Sequence, residues 1–244
     1  MTTAQLDMAK VDTRFLKRVL AGFGILVLSL SAVGCSAVDQ TEVAEPAQPT
    51  TVAVSDQSQS NRQRGDDGLS TAVFAGGCFW CMERPFDELP GVVSTTSGYT
   101  GGTVEDPTYA EVSRGDTGHY EALEVQYDPE QVSYDQLLET FWYNVDPVDD
   151  RGQFCDKGDQ YRSAVFYGSP EQRAAAEDSK DAIANRLNET IATEILPAAQ
   201  FYDAEDYHQN YYQTHAVRYK FYRNACGRDR RLAEVWGDDA PEHE

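Results

Sequence analysis

Gly76-Gly77-Cys78-Phe79-Trp80-Cys81 follows the apolar stretch Thr71 to Ala75, and the residue types in this order could do chemistry at sulfur. The pattern predicts a strand, a tight glycine turn and a thiol at the first turn of a helix. There the unpaired backbone N–H groups and the positive end of the helix dipole favour the thiolate, the form that attacks electrophiles. Cys78 is therefore a candidate nucleophile rather than one more small buried apolar residue. Phe79 and Trp80 would wall a pocket for a small apolar group such as a methyl, or for polarisable sulfur. Farther along, His119 to Tyr127 alternates, with Glu121, Leu123, Val125 and Tyr127 on one side. That places Glu121 on an inward face, where desolvation raises a carboxyl pKa and keeps a proton available near neutral pH.

The elements that must hold these groups can be read around them. Val92 to Gly98 reads as a strand, Tyr99 to Thr108 as a loop, and His119 to Tyr127 as a strand. Ser133 with Gln136, and Ser169-Pro170 with Gln172, are helix starts for Tyr134 to Asn144 and Pro170 to Asn188. An Asp/Gly/Arg-rich loop, Val145 to Gln160, leads to strand Arg162 to Tyr167. Thr193 to Leu196 reads as a strand and Glu205 to Ala225 as one helix stopped by Gly227, its tyrosines taken as packing. Antiparallel strands with helices packed on one side fit this order, so the fold class is α+β.

The ends read differently. Lys10, Arg14, Lys17 and Arg18 precede an apolar run from Val19 to Val33, too short and too well flanked for a stable span. The run closes on Ser31-Ala32-Val33-Gly34-Cys35, which resembles a bacterial lipoprotein cleavage box, with Cys35 as the lipidated residue and plain secretion as the alternative. Residues 1–35 are thus expected to be a signal peptide, 36–69 a solvated linker, 70–237 one catalytic domain and 238–244 an acidic tail. The formal charge is −21, and removing the leader's four basic and two acidic side chains makes it −23. Such a balance argues against nucleic acid and against anionic lipid as partners, leaving the N-terminal lipid as the only expected membrane contact.

Several motifs together resemble the A-type peptide methionine sulfoxide reductases: Gly76 to Glu83, Ser97 to Gly102, Pro107-Thr108-Tyr109, Gly118-His119 with Glu121, Asp159 to Ser163, and Ala204 to His208. The resemblance runs in order through Ser70 to Gly237. It implies an α+β roll with a ferredoxin-like core and a mainly antiparallel sheet. The implied activity is reduction of the S epimer of methionine sulfoxide, free or in oxidised proteins, with electrons from a thioredoxin-like reductant and with no metal or organic cofactor. By the same resemblance Cys78 is the nucleophile and Glu121 the acid. Phe79 and Trp80 hold the sulfoxide methyl, Tyr109 and Tyr161 help hold its oxygen, and Asp156 bonds the substrate. Attack by the Cys78 thiolate would leave a sulfenic acid, to be resolved by a second thiol. The expected setting is repair of oxidative damage in a bacterial cell envelope.

The chain departs from the family where many members have glycine at the position of Cys81, and it lacks their glycine-rich, cysteine-bearing tail. Cys81, Cys155 and Cys226 are three candidates for the resolving thiol, and a structural Cys155–Cys226 disulfide is an alternative use of two of them. A rival reading is a thiol–disulfide oxidoreductase using Cys78 and Cys81 directly, although no region offers the cis-proline loop it would need. A zinc site lacks a second cysteine pair. A non-catalytic envelope lipoprotein would leave the combination of Cys78, Trp80 and Glu121 without a purpose.

Overall fold

The computed structural model describes residues 68–241. The expected signal peptide, Cys35, nearly all of the linker and the last three residues of the tail lie outside the described residues. The central strand is β1 (Ser70–Gly76), and β3 (Tyr120–Tyr127) and β6 (Ser163–Tyr167) pair with it, both antiparallel. Outward from β3 come β2 (Val92–Thr100) and the short β8 (Tyr202–Asp203), again antiparallel; beyond β6, β7 (Glu194–Pro197) runs parallel. The order is β7-β6-β1-β3-β2-β8, with a separate hairpin of β4 (Gly152–Gln153) and β5 (Asp156–Lys157).

One face of the sheet carries the main core. Phe74, Leu123, Val125 and Val165 meet Met82 and Phe86 of α1 (Phe79–Asp87), Leu137 and Phe141 of α3 (Tyr134–Tyr143) and Ala176 of α4 (Pro170–Leu187). Phe74 sits between Phe86 and Phe141, ring centroids 5.1 and 5.3 Å away, so its removal would open a cavity in the middle of the layer. Both predicted helix starts form. Ser133 Oγ accepts the Gln136 N–H while Gln136 Oε1 accepts the Ser133 N–H, and Ser169 Oγ accepts the Gln172 N–H. Asn188, in the left-handed region, ends α4.

Four expectations are corrected. Strand β2 runs on to Thr100, because Tyr99 and Thr100 pair with Glu121 and Tyr120, and the loop that follows holds the single turn α2 (Tyr109–Val112). Tyr120 and Ala122, on the opposite face of β3 from Glu121, are buried as well, under Phe166 and Phe201. The single helix expected over 205–225 is broken into a 3-10 turn (Asp206–His208), α5 (Tyr211–Thr214) and α6 (Ala216–Cys226). Asn210 takes a left-handed φ of 52°, and the Asn210 and Tyr211 N–H groups turn to the buried Glu83 carboxylate. A further helix, α7 (Arg228–Trp236), follows Gly227, and Gly237–Asp239 forms a 3-10 turn with Asp239 paired to Arg186 at 2.5 Å, so the expected acidic tail begins as ordered structure.

Candidate active site

Cys78 is the N-cap residue of α1, at the end of the central strand, where two glycines let the chain turn against its neighbours. Gly77 has φ +78°, and a Cβ there would lie 2.6 Å from Gln153 Cβ; one on Gly76 would lie 2.5 Å from Met82 Sδ. The register of β3 brings Glu121 beneath this turn, beside Tyr99 of β2. Glu121 is 2% exposed and accepts the Phe79 N–H at 3.2 Å, one of the free amides of the helix start. Burial, with the negative charge of Asp156 and Cys81 adding to it, pushes the Glu121 carboxyl up to about 8 against that one opposing hydrogen bond. At neutral pH it is a carboxylic acid.

Around these two groups stand the other predicted residues. Phe79 is fully buried against Tyr99 and Val112; Trp80 is half-buried and stacks on Tyr211, centroids 3.8 Å apart and planes 8° from parallel. Tyr109, at the start of α2, hydrogen-bonds with Tyr161, and burial raises Tyr109 to about 12 and Tyr161 further, with Glu121 the next cause for each. Both hydroxyls therefore stay protonated donors. Asp156, on β5, accepts a short hydrogen bond from the Tyr222 hydroxyl, and burial raises its carboxyl.

The four described cysteines divide into two pairs. Cys155 and Cys226 form a disulfide that ties the β4–β5 hairpin to the end of α6, next to Asp156. Cys78 and Cys81 are free and buried, one helical turn apart, packed among Tyr211, Tyr219, Trp80 and Tyr222. Burial, the hydrogen bond and charge of Cys81, and the nearby Glu121 and Asp156 hold Cys78 protonated, well above the ordinary thiol range. Cys81, which accepts the Cys78 hydrogen bond, is lowered to about 6, with Arg228 and Arg223 helping against the cost of burial. The helix start alone is outweighed by full desolvation and by carboxyl neighbours from β3 and β5.

His208, Tyr211 and Tyr222 complete this wall. His208 is 1% exposed, takes the Trp80 indole N–H on Nδ1 at 3.0 Å, and lies against Phe79, Tyr109 and Tyr207. Trp80 is thereby fixed between His208 and Tyr211. Tyr211 and Tyr222 belong to the tyrosines that the sequence reads as helix packing. Their signal is the even spread of tyrosines through a segment too polar for a core helix. Of the other histidines, His119 is core, its ring nitrogens used by the Gly102 N–H and the Val104 carbonyl.

A thiol pair, a protonated carboxyl, two phenolic donors and an aromatic wall converge on one small volume. This set can attack an electrophilic sulfur, protonate an oxygen leaving from it and lodge an attached methyl. The family profile described as peptide methionine sulfoxide reductase matches residues 70–240. The peptide methionine sulfoxide reductase MsrA 2 of Caulobacter vibrioides is 53% identical over 168 residues, covering 68% of this chain and 85% of that one. MsrA of Bacillus licheniformis is 49% identical over 168 residues, covering 68% and 93%. Among solved structures, Mxr1 of Saccharomyces cerevisiae in reduced form superposes with a TM-score of 0.60 at 31% identity, covering 62% of this chain and 88% of that one.

Proposed function

The chain belongs to the A-type peptide methionine sulfoxide reductase family, and from that premise we propose that it returns the S epimer of methionine sulfoxide to methionine through Cys78, Glu121 and Cys81. The observation that carries the mechanism is a protonated, buried Glu121 bonded to the amide of the residue after the nucleophile. The sulfoxide oxygen is a poor leaving group unless it receives a proton in the transition state. With the oxygen against Glu121, Tyr109 and Tyr161 and the methyl against Phe79 and Trp80, the Cys78 sulfur attacks the substrate sulfur. Glu121 protonates the oxygen, methionine departs, and Cys78 is left as a sulfenic acid. Asp156 bonds the substrate.

Cys81 resolves the sulfenic acid, forming a Cys78–Cys81 disulfide with loss of water. Of the three candidates it alone is a free thiol in this state, since Cys155 and Cys226 are bonded to each other. A thioredoxin-like dithiol then reduces the disulfide by exchange. The leader ending in Cys35 supports oxidative-damage repair in the cell envelope, with detergent-phase partition lost in Cys35→Ala as its check.

The test is single-turnover methionine formation by the pre-reduced protein from separated S and R epimers of a peptide methionine sulfoxide, with Cys78→Ser alongside. About one methionine per enzyme or more from the S epimer alone, absent in the variant, is the expected result. No methionine from either epimer, with reduction of a protein disulfide instead, would move the assignment to a thiol–disulfide oxidoreductase.

A further inference from the structure

Glu83 lies one turn beyond Trp80 on α1, is 0% exposed, and has no part in the mechanism above. A carboxyl shut away from water is destabilising unless its oxygens are bonded, and both are, to the backbone of a segment far along the chain. Oε1 accepts the Asn210 N–H at 2.7 Å and Oε2 the Tyr211 N–H at 3.2 Å. Asn210 takes its left-handed φ of 52° here, a conformation that asparagine adopts more readily than most non-glycine residues, and two successive amides meet one side chain. Asp87, one further turn along the same face of α1, accepts the Tyr212 hydroxyl at 3.0 Å. Helix α1 thus fastens residues 210–212 along the face that carries Trp80.

The consequence falls on an aromatic stack. The Tyr211 ring, itself buried, stacks on the Trp80 indole, centroids 3.8 Å apart and planes 8° from parallel, and on the His215 imidazole, 4.4 Å away and 13° from parallel. Glu83 holds this shared ring through the residue's own amide, so Tyr211 cannot slide along the indole without breaking a bond to a buried carboxyl. The indole N–H is fixed separately, by His208 Nδ1 at 3.0 Å. A wall held in this way yields little, and a wall that does not yield discriminates by size.

We propose that Glu83 is a positioning residue that sets the size of the methyl pocket: by tying the Asn210 and Tyr211 amides to α1 it keeps Tyr211 flat on Trp80, and the immobilised indole favours S-methyl over longer S-alkyl sulfoxides. The proposal rests on the reading above that the sulfoxide methyl lies against Phe79 and Trp80, and adds what determines the alkyl group accepted. Glu83 acts through Tyr211 and Trp80 and leaves the reacting atoms to Cys78 and Glu121. Attack at sulfur and protonation of oxygen are common to methyl and ethyl substrates. The ratio of their kcat/KM values therefore cancels the shared chemistry and reports the fit of the alkyl group.

The test measures kcat/KM of the full-length protein, with a dithiol as reductant, for the S epimers of N-acetylmethionine sulfoxide and its S-ethyl homologue, in wild type and Glu83→Gln. Glutamine keeps the volume but offers one acceptor oxygen for two amides and turns its NH2 toward the other. The methyl-over-ethyl ratio should fall by about tenfold, since one methylene against a rigid apolar wall is worth roughly 10–200-fold. KM for the methyl substrate should rise by about fivefold with kcat within about twofold of wild type. Phe141→Leu, in the core against Phe74, separates fit from stability: it should lower the thermal midpoint without moving the ratio. An equal fall of the ratio in Phe141→Leu overturns the proposal, and so does a folded Glu83→Gln protein with the wild-type ratio. Should Glu83→Gln fail to fold, Tyr211→Leu, which removes the ring that Glu83 holds, decides in its place: a fall supports the proposal and an unmoved ratio overturns it. Absence of methionine from the wild-type enzyme overturns the reductase reading itself.

Discussion

Replacing Glu121 with glutamine should make the protein more stable and less active, with a stability gain that grows with pH. Folded Glu121 holds its proton up to about pH 8, whereas the unfolded chain releases it near the ordinary value of 4.5. Stability is therefore full below about pH 4.5 and is lost progressively as pH rises toward 8. At pH 7 the gap is about 2.5 pH units at roughly 1.4 kcal/mol each, so the acid costs the fold on the order of 3 kcal/mol; at pH 9 the figure approaches 5 and at pH 5 it is under about 1. Glutamine can still accept the Phe79 N–H and has no proton to lose. Urea denaturation of the wild type and Glu121→Gln at pH 5, 7 and 9, with single-turnover rates beside it, reads both effects. A stability difference equal at all three pH values would refute the buried-acid argument, and a variant rate within twofold of wild type would refute its role as the proton donor.

Two further outcomes follow from the walls of the site. Cys155→Ser removes a bond that spans 71 residues of sequence, worth about 4 kcal/mol of chain entropy. Its thermal midpoint should fall by several degrees, and KM should rise more than kcat falls because Asp156 is then held to α6 by the Tyr222 hydrogen bond alone; an unchanged melt would show that the pairing is dispensable. His208→Phe leaves the Trp80 indole N–H unpaired, at a cost of about 1–3 kcal/mol. Weaker binding of a methionine peptide and altered Trp80 fluorescence are expected, and normal binding would mean that Tyr211 alone fixes the ring.

Much of this architecture is legible in the residues because local signals and tertiary structure agree. The alternation of β3 names the face that Glu121 occupies, and the Ser133 and Ser169 motifs start helices at those points. The sequence fails where long-range bonds decide. Nothing local breaks the segment around Asn210; the break comes from Glu83, far earlier in the chain, which takes the amides that a continuous helix would have used. The electrostatics around the Cys78–Cys81 pair are long-range as well. A helix start is visible in sequence, but the carboxyls of Glu121 and Asp156 and the guanidinium of Arg228 arrive from three separate elements. Arg228 did leave a trace, since a cation directly after a helix-starting glycine is at the wrong end of the dipole.

The bond between Cys155 and Cys226 also changes the topology of the molecule, because it closes residues 155–226 into a covalent ring. Asp156, Tyr161, His208, Tyr211 and Tyr222 belong to the ring, while Cys78, Trp80, Tyr109 and Glu121 belong to the linear chain before it. A single cut by a protease at the exposed segment 197–200 would open the ring without releasing a fragment, leaving both halves of the pocket on one covalent body. After reduction of the bond, the same cut would divide the enzyme into two pieces held only by packing. Of the two states, the oxidised form is thus the one that can survive a nick.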